Sequence, residues 1–296
     1  MVVHLPRSES VAPEPLFVVG AVSQYLGAAV AVHLFDEMDP AGVALVRVLG
    51  AALMIILLRR SWQRRWKASD LAWASAFGMT LAAMNLSIYL SIDELPLGNA
   101  VAIEFTGPIL VAAAFTRTLR SGAALLLAAG GVVVLAGVEA EGTMRGVGFA
   151  LLAGLFWAGY IVLGHRVARG PAAVDGLGLG MLAGAAAISG FGAPELGPAF
   201  DTPTVLLLAL VTGLLSNVVP YWIDQVVMRR INQHRFALLQ ALLPVTAVLV
   251  GLVVLIQVPS VREMLGIALV IAAILLSRSA KGPGGTAAGV GLRTAG

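Results

Sequence analysis

The chain contains no cysteine, which excludes disulfides, thiolate metal sites and thiol nucleophiles. Histidine is scarce too. His4, His33, His165 and His234 stand far apart and form no cluster at metal-ligand spacing, so no metal and no cofactor are expected. Lysine occurs only at Lys67 and Lys281, neither in a Gly-x-x-x-x-Gly-Lys-Ser/Thr run, so a nucleotide phosphate loop is missing. No His-Glu-x-x-His run and no evident pair of intramembrane acids is present, and an enzyme is not expected. Charged residues make up 12% of the chain, about half the share found in soluble proteins.

What fills the chain is apolar: 59% hydrophobic residues and a mean hydropathy of +0.92 mark an integral membrane protein. Apolar runs long enough to cross ~30 Å of hydrocarbon predict ten helices, over 16–35, 40–58, 70–91, 96–115, 121–138, 146–165, 173–191, 204–226, 235–256 and 261–278. Asp93, Glu94, Leu95 and Pro96 form the turn between the third and fourth. With a cytoplasmic N-terminus, 16 of the 19 Lys and Arg residues fall in inside segments, and only Arg145 and Arg262 fall outside. One missed span would invert every later loop, so this asymmetry supports ten spans with both termini cytoplasmic. Residues 1–15 read as a cytoplasmic tail and 279–296 as a disordered one.

Five plus five spans predict an all-α fold of two repeats, 16–138 and 146–278. Asn85 and Tyr89 in span three share their spacing with Asn217 and Tyr221 in span eight, as do Glu104 and Pro108 in span four with Gln240 and Pro244 in span nine. An odd number of spans per repeat makes the copies inverted, which places a substrate site near the midplane between them.

Glu104 is the most informative residue. It lies about eight residues, or ~12 Å, past the outer end of its span, where a charge costs on the order of 3 kcal/mol or more; such residues are by default part of an ion or substrate pathway. Pro108 lacks an N–H, which deprives the Glu104 carbonyl of its helical partner, and Gly107 adjoins it. Pro220 and Pro244 act likewise on Ser216 and Gln240. Arg47 sits at a similar depth, ~10 Å, within reach of Glu104, as its ion partner, a site for a substrate carboxylate or a snorkelling side chain. Gln24, Asn85, Tyr89, Trp157, Tyr160, Asn217 and Gln240 complete the candidate lining, although interhelical bonding and packing also account for such residues. Asp224, near the inner end of span eight, reads as an interface residue. Gly27, Gly130, Gly176, Gly180 and Gly184 read as close helix crossings.

The block Pro96-Leu97-Gly98-x-Ala100-Val101-Ala102-x-Glu104-Phe105-Thr106-Gly107-Pro108 resembles the EamA family of the drug/metabolite transporter superfamily. Met84-Asn85-Leu86, Tyr89 to Ile92, Arg47, Trp157-Ala158 and Tyr160-Ile161 match it as well. Within that family the likeness is to exporters of small amino acids such as threonine and homoserine, with proton exchange as the implied mode. The alternative is an EamA-type permease for a different small metabolite or drug. The implied partners are a small-molecule substrate, protons and the lipid bilayer; no nucleic acid is implied, and the oligomeric state stays open. The second half departs from the pattern: Leu243-Pro244 and Ile256-Gln257 stand where carboxylates occur in relatives, which leaves Glu104 as the expected mid-membrane acid.

Overall fold

The computed structural model describes residues 12–35, 37–95, 100, 103–116, 118–136, 143–170, 173–243, 245–246 and 260–278. Pro244, Gln257 and the C-terminal tail lie outside them. Among the described residues the chain is helical and contains no strand. A backbone in hydrocarbon must satisfy its own N–H and C=O groups, and the helix does so within one segment. The main helices are α1 (Pro13–Phe35), α2 (Pro40–Arg59), α3 (Ala68–Ile92), α4 (Thr106–Ala114), α5 (Leu119–Ala136) and α6 (Met144–Ala168). The second half adds α7 (Ala173–Gly192), α8 (Pro203–Arg230), α9 (Gln233–Gln240) and α10 (Val261–Arg278). Five segments are long and apolar enough to cross a membrane on those grounds alone: α2, α3, α6, α8 and Ala173–Glu195, while α5 and α10 carry shorter apolar stretches.

Local chemistry sets several ends. The Asp39 carboxylate accepts from the Ala41 N–H at 2.9 Å and starts α2. Arg60, at φ 50°, ends it in a left-handed cap that donates to the carbonyls of Ile56 and Leu57. Thr143 caps α6 and Asn232 caps α9 through the N–H groups of Gly146 and Arg235.

Helices α3 and α7 cross in backbone contact. A Cβ placed on Gly78 would stand 1.8 Å from the Gly180 carbonyl oxygen, and one on Gly184 would stand 2.3 Å from that of Gly78. Association in lipid depends on such close approach, because burial of apolar surface gives no gain there. The expectation for Gly180 and Gly184 is met; Gly130 meets nothing within 4 Å and makes no crossing. Helix α2 packs along α7, α5 along α10, α3 against α6, and α1 against the middle and end of α8. Leu53, Leu57, Leu110, Leu126 and Leu155 are exposed around the outside, as lipid-facing residues should be.

Two expected helices differ from continuous rods. Span four is interrupted at Phe105, with Ile103 and Glu104 helical before it and α4 beginning at Thr106. Span nine is interrupted at Ala241, the residue after Gln240 as Phe105 is the residue after Glu104. Pro220, expected as a helix-breaking residue that frees the Ser216 carbonyl, follows a π-helical turn over Leu214–Val218, and α8 continues through both. Two serines serve this wide turn: Ser23 Oγ donates to the Leu215 carbonyl at 2.7 Å, and Ser216 Oγ donates to the Gln24 carbonyl at 3.1 Å.

Candidate functional site

A cavity of about 180 Å³ lies between α1, α2, α3, α6, α8 and the two interrupted segments. Gln24, Arg47, Asn85, Tyr89, Glu104, Trp157, Tyr160 and Gln240 line it, so eight of the nine pathway residues expected from sequence converge on one space. The ninth, Asn217, is fully buried and supports the wall: its Oδ1 accepts from Arg47 Nη2 at 3.0 Å. Helical spacing explains the convergence. Asn85 and Tyr89 are four apart on α3, and Trp157 and Tyr160 are three apart on α6, so each pair shares one face.

Arg47 is 6% exposed and does not snorkel. Its guanidinium carbon lies 5.1 Å from the centre of the Tyr89 ring, a cation–π contact, and with the Asn217 bond this fixes its head. The pair with Glu104, one of the alternatives for Arg47, does not form: neither residue belongs to an ion pair among the described residues. The Nε of Arg47, the Nδ2 of Asn217 and the Oε1 of Gln240 are buried with no protein partner among the described residues. Buried polar groups are otherwise nearly always bonded, so this cluster holds unused hydrogen-bonding capacity.

Glu104 is 8% exposed and faces the cavity beside Phe105, whose ring meets Trp157 edge-on at 5.4 Å. The carbonyl freed by Pro108 is used differently from its side chain. A Cβ on Gly154 of α6 would stand 2.8 Å from that oxygen, and one on Gly107 would stand 2.0 Å from the Gly154 carbonyl oxygen. The freed carbonyl therefore packs against α6, and the carboxylate is the polar group that Glu104 offers to the cavity.

Two groups that sequence reasoning did not place here also line the wall. Tyr221 receives a hydrogen bond from Asn85 Nδ2 at 3.1 Å. Asp224, expected at the interface, is 8% exposed within the cavity wall, where its Oδ2 accepts from the Tyr160 hydroxyl at 2.7 Å. The signal was available: Asn217, Tyr221 and Asp224 stand at i, i+4 and i+7, one face of a helix. Glu104 is therefore not the sole acid at the site.

A second, wider cleft of about 570 Å³ opens at the arginine-rich end, lined by Asp70, Trp73, His165, Arg166, Arg169 and Gln233 among others. Aromatic rings stand between the two spaces. His165 meets Phe236 at 5.5 Å, and Phe236 meets Phe17 of the cavity wall at 6.1 Å. Beside them Glu14 on α1 and Arg235 on α9 form an ion pair. At the opposite end Glu94 pairs with Arg145 and accepts from the Thr143 hydroxyl, tying α3 to α6.

The EamA-like transporter family matches residues 144–279. Threonine/homoserine exporter RhtA of Escherichia coli (strain K12) is 30% identical over 266 residues, covering 88% of this chain and 89% of that protein. The protein of the same name from Salmonella typhimurium (strain LT2) is 31% identical over 252 residues, covering 83% and 84%. A protein of known crystal structure shares the fold at a TM-score of 0.69 with 19% identity, over 89% of this chain and 96% of its own. On this likeness along nearly its whole length, together with its apolar helices, the chain belongs to the EamA-like transporter family and is a transmembrane transport protein.

Proposed function

We propose that this protein is a secondary transporter of a bacterial inner membrane that exports small amino acids such as threonine and homoserine, and that the 180 Å³ cavity is its substrate site. The observation that carries the reading is the presence of Arg47 and Glu104 on one small cavity without an ion pair between them. A zwitterionic amino acid brings the complements of both: its carboxylate goes to Arg47 and its ammonium to Glu104. Asn85, Tyr89, Trp157, Tyr160, Gln24 and Gln240 supply the polar and aromatic wall, with Asn217 holding Arg47. The volume lies below the ~300–1,000 Å³ of drug-sized sites, which favours a small metabolite. The names of the two bacterial relatives supply the substrate class.

The fold reading is ten spans in two inverted five-helix repeats, 16–138 and 146–278, with both termini cytoplasmic. The family match begins and ends within two residues of the second repeat. The turns at Phe105 and Ala241 follow the paired residues Glu104 and Gln240. Across the cavity Asn85 bonds Tyr221, and Arg47 joins Tyr89 to Asn217, so residues matched by spacing meet in space. The arginine-rich cleft then faces the cytoplasm, and the Phe17, Phe236 and His165 rings are the barrier on that side.

Overproduction in cells is the test. Cells carrying the wild type should tolerate raised threonine and homoserine and accumulate both in the medium, and cells carrying Glu104→Gln should not. Equal sensitivity of wild-type and empty-vector cells would refute the substrate assignment.

A further inference from the structure

The cavity wall holds more acid than its one arginine can neutralise. Arg47 supplies one positive group, and Glu104 and Asp224 supply two carboxylates. With the cavity empty, the charges of Arg47 and Glu104 offset one another, and Asp224 is left over. Its Oδ2 accepts only from the neutral Tyr160 hydroxyl, and it belongs to no ion pair among the described residues. An uncompensated buried carboxylate costs several kcal/mol, so a cation must join it while the cavity is empty.

The titratable or charged groups facing that cavity besides Asp224 are Tyr25 on α1, Arg47 on α2, Tyr89 on α3, Glu104 before α4, Tyr160 on α6 and Tyr221 on α8; α7 and α9 contribute none. None of them is a second free cation. Few oxygens gather at Asp224: the Tyr160 hydroxyl is bonded to it, and the Tyr221 hydroxyl accepts from Asn85. That is a poor cage for a metal cation, which needs about six oxygen ligands, and sufficient for a proton.

We propose that Asp224 is the proton-coupling residue, distinct from the ammonium partner Glu104, and that Tyr160 positions it; this rests on the substrate reading above. Asp224 takes up one proton from the outer side after the substrate has left and releases it to the cytoplasm before the next substrate binds. One proton moves inward for each neutral zwitterion moved outward, so one net charge crosses per cycle. The position suits the task, since Asp224 lies six residues before Arg230 at the arginine-rich end of α8. The Tyr160 hydroxyl stabilises the carboxylate during the interval when it is unprotonated.

Reconstitution of the full chain into liposomes separates coupling from binding. With labelled threonine, an imposed difference of one pH unit should support about tenfold accumulation for one proton per substrate, since tenfold is about 1.4 kcal/mol. Asp224→Asn should retain measurable counterflow between labelled and unlabelled threonine while this accumulation falls to about onefold, and Asp224→Glu should restore it. A sodium gradient should be without effect. Accumulation by Asp224→Asn at the wild-type level, or its replacement by a sodium requirement in the wild type, overturns the assignment. A substrate-independent measurement decides the matter even if threonine and homoserine prove to be wrong. Infrared difference spectra across a pH step should show a protonated carboxyl absorption in the wild type and in Glu104→Gln that disappears in Asp224→Asn. Its persistence in Asp224→Asn overturns the proposal; absence of threonine counterflow in the wild type overturns the substrate reading alone.

Discussion

Replacing Arg47 by Met should separate stability from transport. The guanidinium is buried, its Nη2 is committed to Asn217, its face rests on Tyr89 and its Nε has no protein partner among the described residues. For the folded protein the change removes a buried charge that no ion pair compensates, a relief of several kcal/mol. It leaves Asn217 Oδ1 unpaired, a cost of about 1–3 kcal/mol. The balance predicts a variant that unfolds in detergent at the wild-type temperature or above. For the substrate the change removes one partner of a buried charge pair, worth about 2–5 kcal/mol. Because Nη2 stays with Asn217, the lower part of that range applies, and about 3 kcal/mol corresponds to roughly a 150-fold rise in the half-saturating threonine concentration. Arg47→Lys keeps the charge and loses the fork, so it should fall between. Initial rates in proteoliposomes across a threonine concentration series measure the effect, with thermal unfolding of the same preparation as the control. Half-saturation by Arg47→Met within about threefold of wild type would refute the role given to Arg47, and so would a stable protein whose defect lay wholly in maximal rate.

Gly78→Ala should destabilise by about 3 kcal/mol or more, because its Cβ would fall 1.8 Å from the Gly180 carbonyl oxygen, whereas Gly130→Ala should raise stability by up to ~1 kcal/mol; paired melting curves check both. Phe236→Ala removes the ring between Phe17 and His165, so substrate efflux down its gradient should become insensitive to external pH, at a stability cost of about 3–5 kcal/mol. A native chain without cysteine gives single-cysteine labelling no background. In intact spheroplasts an impermeant maleimide should label Thr202→Cys and spare Gln63→Cys; both native residues are exposed, and the reverse pattern would invert the orientation.

The apolar runs made the helical class legible, because segment length acts locally on membrane insertion. The site was legible for a related reason. Polar residues inside apolar spans are costly, and eight of the nine picked on that ground line one cavity. What escaped reading depended on tertiary context. Asp224 resembled an interface residue until α8 was placed against α6, where Tyr160 receives it. The similar depth of Arg47 and Glu104 left an ion pair, a substrate-carboxylate site and snorkelling open, and only the folded chain shows that Asn217, within the π-helical turn, binds the arginine. The freed carbonyl at Glu104 was anticipated as a polar group, and only the approach of Gly154 showed that helix packing occupies it. Proline at position 220 signals a missing hydrogen bond; whether a helix breaks or widens depends on neighbours such as Ser23, which donates to the Leu215 carbonyl of the widened turn.

A zwitterionic amino acid should cross the membrane through the cavity that Arg47 and Glu104 share. The decisive measurement is counterflow of labelled threonine and homoserine in liposomes containing the wild type or Glu104→Gln. The wild type should exchange both amino acids, each should compete with the other, and Glu104→Gln should lose the exchange. No exchange by the wild type, or exchange at the wild-type rate by Glu104→Gln, would contradict this route.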